Sequence, residues 1–209
     1  MINKLDHLVY AVPDLEKGMT EIEQLFGLRP QVGGRHLTKG THNALLRLGQ
    51  HCYFEIIASD PANQAIQEKR WMGVDAGLTQ GRLTRWAVAS HQLMQEAPYL
   101  KAIHPDLARV EAGSRMKSDG NLLQWQLTTP LATPLVEIAP FLIDWQDSIH
   151  PSVGLEVSCK LISLTAKHPE PHAFEELFQK LDIHVPIEEA TAPELMATIQ
   201  TPNGLIVLN

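Results

Sequence analysis

The chain has 209 residues, 44% of them hydrophobic and 20% charged, which is enough apolar content for one full core or two small ones and too much for a disordered chain. A formal net charge of −7 excludes the basic footprint of a nucleic-acid surface and the polybasic patch of a membrane-surface protein. No run approaches the ~20 apolar residues of a membrane span, and Met1–Lys4 lead straight into an apolar run with no secretory h-region. The expectation is a soluble cytoplasmic protein whose Cys52 and Cys159 are reduced thiols.

The first strand reads Leu5–Val12, an apolar run interrupted by His7. Pro13 breaks it and Asp14 offers an N-cap oxygen; Leu15, Met19, Ile22, Leu25 and Phe26 then recur at helical spacing up to Gly27. A β-prone stretch around Gln31–Val32 is interrupted by Gly33–Gly34. Arg35–Leu37, a turn at Lys39–Thr41 and a strand from Asn43 to Leu48 follow. Gly49–Gln50 turns the chain into a closing strand, Cys52–Ala58, which carries Glu55. Residues 1–60 thus form a β, α, β, β, β module. Asp60–Pro61 opens a helix expected to reach Met72, and the glycines at 73, 77 and 81 make residues 61–82 a linker helix and loop. A second βαβββ module, 83–150, has a strand at Leu83–Ala89 and a short helix kinked at Pro98. Its later strands are Val110–Met116 and Leu122–Thr128, joined by a turn at Asp119–Asn121, then Leu135–Ile138 and Phe141–Trp145. A third βαβββ-like unit, 151–209, has a strand at Leu155–Leu164 and a helix with Phe174, Leu177, Phe178 and Leu181 on one face. It ends with strands at Ile183–Ile187, Leu195–Gln200 and Leu205–Leu208. The fold class is α+β, one supersecondary order repeated. An odd number of units leaves one without an internal partner and predicts a homodimer through the third.

Side-chain alternation puts His7 with Leu5, Val9 and Ala11 on one face of the first strand, and Leu8, Tyr10 and Val12 on the other. In the closing strand Tyr53, Glu55 and Ile57 oppose Cys52, Phe54 and Ile56. Packing the helix on the faces of Leu8 and Phe54 turns His7 and Glu55 into the same concavity. Burying an unpaired carboxylate is costly. The pair therefore either bonds across the sheet or supplies two ligands of a divalent ion, with a third from His36, His42, His51 or the second module. Both readings stay open on spacing alone.

Asp6-His7-Leu8-Val9, Gly33-Gly34-Arg35-His36, Gly40-Thr41-His42-Asn43 and Tyr53-Phe54-Glu55 together resemble the glyoxalase-like domain family of the vicinal oxygen chelate (glyoxalase/bleomycin resistance/dioxygenase) superfamily. Asp119-Gly120, Trp125 and the run from Pro140 to Trp145 extend the likeness. The resemblance implies paired modules that form an incomplete, open β-barrel around a ligand cavity. It also implies a divalent metal (Zn, Mn, Fe, Ni or Mg) that chelates two neighbouring oxygens of a small-molecule substrate, in a lyase, isomerase or dioxygenase. Carried onto this chain, it implies His7 and Glu55 as metal ligands, Glu55 also as the catalytic group; His36 is the candidate third ligand, and Asn43, Tyr53, Arg85 and Trp125 are candidate substrate-binding residues. The second module departs from the pattern. Arg85 or Trp86 falls where a counterpart of His7 belongs, and Ile143–Asp144 where a counterpart of Glu55 belongs. Either His36 completes a ligand set within the first module, or no metal binds. In the second case Arg85 supplies a fixed positive charge and the protein is a metal-free small-molecule binder.

Overall fold

The structure is a computed structural model that describes residues 5–63, 65–66, 69–117, 120–156 and 159–209. Strand β1 (Leu5–Ala11) leads into helix α1 (Leu15–Phe26). The Asp14 side chain accepts the Lys17 N–H at 2.9 Å, and Gly27, at φ 76°, donates its N–H to the Glu23 carbonyl, so both ends of the helix are capped. Strands β2 (Gln31–His36), β3 (Thr41–Gly49) and β4 (Cys52–Ser59) complete the first module. The second consists of β5 (Arg82–Ala89), α2 (Leu93–Glu96), a 3₁₀ segment at Ala97–Ala102 with Pro98 in its first turn, β6 (Val110–Lys117), β7 (Leu122–Thr128) and β8 (Phe141–Asp144). The third unit has β9 (Lys160–His168), α3 (His172–Lys180), β10 (Ile187–Glu189), β11 (Glu194–Thr201) and β12 (Gly204–Leu208).

Eight strands form a barrel in the order β1-β4-β3-β2-β6-β7-β8-β5. The two modules are built alike, with β1 parallel to β4 and β5 parallel to β8, and they meet where β1 runs antiparallel to β5. The barrel expected to be open is closed on its far side by a short seam, Gly34 opposite Lys117 and Arg35 opposite Met116. The third unit repeats the order of elements but not the sheet. Its strands run β10-β9-β11-β12, so the first strand of the unit lies inside the sheet instead of beside the last.

The core divides into an outer and an inner layer. Outside, Leu8, Phe54, Ile56 and Trp86 pack with α1, the 3₁₀ segment and the third unit in one continuous cluster that includes Phe174, Leu177 and Phe178. Inside, Val9, Ala11, Ile57, Ala87, Trp125 and Phe141 belong to a second cluster. Leu5, expected beside His7, lies in the outer layer because β1 carries a β-bulge. Leu5 pairs with Val88 and His7 with Ala87, which leaves Asp6 as the extra residue and reverses the alternation at that point. The helix expected from Pro61 to Met72 is not present among the described residues, which run there as turns and irregular chain; residues 64, 67 and 68 lie outside them. Asp60 is instead held by Arg35 Nε and by the Ala62 N–H, and Trp71, Met72 and Val74 are buried in the inner layer, so this linker plugs the barrel. No strand forms over Leu135–Ile138, and Asp119 of the expected hairpin turn lies outside the described residues. No helix among the described residues is long and apolar enough to cross a membrane.

Candidate functional site

From His7 onward β1 obeys strict alternation, and so does β4, so His7 and Glu55 both project into the barrel. His7 Nε2 lies 3.8 Å from Glu55 Oε2. The bulge turns Asp6 to the same side, where its Oδ1 sits 2.6 Å from His7 Nδ1. Asp6 Oδ2 receives Trp145 Nε1–H at 2.8 Å and faces His150 Nε2 at 3.2 Å. The Ser152 N–H donates to His150 Nδ1, so the proton of the neutral His150 ring sits on Nε2 and points at Asp6. Burial alone would raise the Asp6 carboxyl, but the hydrogen bonds from His150 and His7 together outweigh it and hold it at about 2. Asp6 is therefore an anion placed to receive the Nδ1 proton of His7, and in a neutral ring that tautomer leaves Nε2 bare towards Glu55. Tyr53 stacks on the His7 ring, centroids 4.4 Å apart, and burial raises its phenol well above the usual range.

Glu55 is held from the other side. Asn43 Nδ2 donates to its Oε1 at 2.5 Å, and Asn43 Oδ1 accepts from Arg115 Nη1 at 3.0 Å, so one amide links a carboxylate to a guanidinium. His36 also lines the cavity, with its Nδ1 3.0 Å from Thr41 Oγ1; that oxygen receives Trp71 Nε1–H at 3.1 Å. Every donor is used when the Thr41 hydroxyl donates to His36 Nδ1, which leaves the His36 proton on Nε2. Burial, reinforced by the Arg115 charge, pushes the His36 imidazole down to about 3, so the ring is neutral. The cavity is narrow, walled by Trp71, Trp125 and Phe141.

Of the residues expected at the site, His7, His36, Asn43, Tyr53, Glu55 and Trp125 line this one cavity. Arg85 does not. Its guanidinium donates to the carbonyls of Thr84, Leu131, Pro134 and Leu135 and holds that loop against β5. Burial lowers it to about 10, against the pull of Glu137, so it stays charged, but its charge serves the loop. The cation that lines the cavity is Arg115, which the sequence did not single out, nor did it single out Asp6 or His150. A lone arginine in a strand reads as a surface residue, and Asp6 next to His7 reads as pointing the other way.

Register also settles the counterpart positions. His7 pairs with Tyr53 and Val9 with Glu55 across β1 and β4, as Ala87 pairs with Phe141 and Ala89 with Ile143 across β5 and β8. Ala87 and Ile143, not Arg85 and Asp144, thus occupy the places of His7 and Glu55 in the second module, and neither can ligate a metal. Among the described residues no three of His, Cys, Asp and Glu gather around a point that could hold a metal ion. Asn43 already occupies one Glu55 oxygen, and a guanidinium shares the cavity. The residues present do not fit a resident divalent ion held by a full protein ligand set.

An eight-stranded barrel of two equivalent modules, with ionisable groups converging inside it, defines a small-molecule site of the paired-module kind. A family profile described as glyoxalase-like domain matches residues 5–181. The chain belongs to the glyoxalase-like domain family, within the vicinal oxygen chelate superfamily. No curated protein matches it by sequence. A hypothetical protein from Staphylococcus aureus is similar in structure, with a TM-score of 0.67 at 14% identity over 99% of this chain and 98% of that one. Methylmalonyl-CoA epimerase from Mycobacterium tuberculosis is similar at a TM-score of 0.42 and 16% identity, over 68% of this chain and 88% of that one.

Proposed function

We propose that the barrel interior binds a small carbonyl compound and moves a proton at the carbon beside the carbonyl, with Glu55 as the base. The observation that carries this reading is the gap between His7 Nε2 and Glu55 Oε2, two lone-pair groups 3.8 Å apart within apolar walls. They are too far apart to bond each other, and something that gives up a proton satisfies both. Glu55 takes the proton, the electron pair moves onto the carbonyl oxygen, and His36, neutral with its proton on Nε2, donates to that oxygen. Asn43 keeps Glu55 oriented and Asp6 keeps His7 in the tautomer that presents a bare nitrogen. Return of the proton to the other face of the same carbon gives an epimer, and return to the oxygen gives the enol.

The same pair favours a second reading. A divalent ion could be gripped by His7 and Glu55 with solvent completing its shell. Exchange of α-hydrogen for deuterium in small carbonyl compounds, followed by proton NMR in D₂O, separates the two. Proton transfer by the side chains predicts exchange that survives an excess of chelator and falls at least about 100-fold in Glu55→Gln. Exchange that chelator abolishes and added Zn²⁺ or Mn²⁺ restores would select the metal reading. Binding with no exchange in either condition would mark the protein as a binder.

A further inference from the structure

We propose that Arg115 anchors a carboxylate, so that the molecule held in the barrel is a small organic acid whose carbonyl lies next to its acid group. This rests on reading the barrel interior as a proton-transfer site. Arg115 is only 5% exposed, and a guanidinium taken out of water normally has an anion against it. Here its direct partner among the described residues is a neutral amide, Asn43 Oδ1 on Nη1, while Nε is enclosed with no partner. Glu55 meets this charge through space and through the far end of the Asn43 bridge, with no direct hydrogen bond to it. A bare Nε alone decides nothing, because Arg85 has one too, yet four carbonyls occupy its outer nitrogens. Arg115 has no such set, and its guanidinium lines the cavity, where its planar fork can hold a carboxylate by parallel hydrogen bonds.

The backbone makes room for this cation. A Cβ at Gly33 would overlap both Asn43 Oδ1 and Arg115 Nη1, and one at Gly34 would run into the Met116 carbonyl and press on Arg115 Cγ. Two consecutive strand residues without side chains leave the guanidinium space beside Asn43. Size limits the acid. The cavity is narrow and walled by Trp71, Trp125 and Phe141, so a guest has few non-hydrogen atoms. Asn43 spans from Arg115 to Glu55, so an acid gripped by the one lays its neighbouring carbons towards the other.

Isothermal titration with acetate and pyruvate, and with the neutral amides acetamide and pyruvamide, tests the anchor. The wild-type protein is expected to bind each acid at least about tenfold tighter than its amide. Arg115→Met is expected to erase that ratio, and Arg115→Lys, which keeps the charge without the fork, to reduce it. Equal affinities for acid and amide in the wild type, a ratio unchanged in Arg115→Met, or no binding of either acid at millimolar concentration would overturn the proposal. If Arg115→Met does not fold, the wild-type ratio and its fall in Arg115→Lys decide. An acid preference without α-hydrogen exchange keeps the anchor and removes the proton-transfer reading. Exchange on the amides as fast as on the acids does the reverse.

Discussion

His36 lines the cavity and Asp6 supports His7 beside it, and the two are pushed to low pKa by different forces, which separates their effects on pH. For His36 the largest cause is burial, then the charges of Arg115, His7 and His42, and its folded value of about 3 lies below the unfolded 6.5. Between those values the unfolded chain binds a proton that the native state refuses. The contribution is therefore complete above pH 6.5 and is lost as pH falls towards 3, at about 1.4 kcal/mol per unit. Urea unfolding at pH 7 and pH 5 is expected to show a loss of about 2 kcal/mol that His36→Gln removes. Asp6 acts lower. Its value of about 2 against 3.8 makes a contribution present above pH 3.8 and lost as pH falls through 2. Asp6→Asn is expected to cost about 2 kcal/mol at pH 7, and exchange should slow with it because His7 loses its fixed tautomer. The shared face of His7 and Glu55 was legible in the sequence because period two holds from His7 to Ala11 and throughout β4. Asp6 was not, since a bulge leaves no trace in the alternation of one strand; it is set by where β5 pairs.

At the scale of elements, the glycines and the buried arginines explain what each strand can tolerate. Gly33→Ala is expected to push Asn43 and Arg115 apart and so to weaken binding more than it lowers stability. Calorimetric binding and thermal unfolding of that variant check the difference. Arg85→Met strips the donor from four carbonyls at once and is expected to cost about 3 kcal/mol or more, read by urea unfolding, while the cavity keeps its charge. The sequence offered Arg85 as the cavity's cation because its strand was evident but its register was not. A second irregularity, between the Val9–Arg85 and Tyr10–Leu83 pairs, shifts the chain at Thr84, and only the pairing with β8 shows Ala87 opposite Phe141. Caps were legible because they are local: Asp14 and Gly27 sit where residue type alone put them. The helix after Asp60 failed because a tertiary partner, Arg35, and a local turn claim that carboxylate first.

Across the whole molecule, the barrel and the third unit share one outer core, with Trp86 and Phe178 rings 5.8 Å apart. The helix-covered face of the third unit thus has its partner within the chain, while Leu205 and Val207 of β12 stay exposed. Phe178→Ala is expected to cost about 3–4 kcal/mol and to lower a single cooperative transition seen alike by circular dichroism and by tryptophan fluorescence. Two separate transitions would show that the unit folds apart from the barrel. The repeat of the first two modules was readable as an order of elements. The sheet order of the third was not, because β10 is only three residues long and pairs beside β9 without a signal in composition. The proposed chemistry needs His7 Nε2 bare and opposed to Glu55. Long-range ¹⁵N correlation spectra of the histidine rings at pH 8 measure that state directly. The expected result is a His7 ring with its proton on Nδ1 and an Nε2 resonance that moves in Glu55→Gln. A proton on Nε2, with no response to the change at Glu55, would contradict the account.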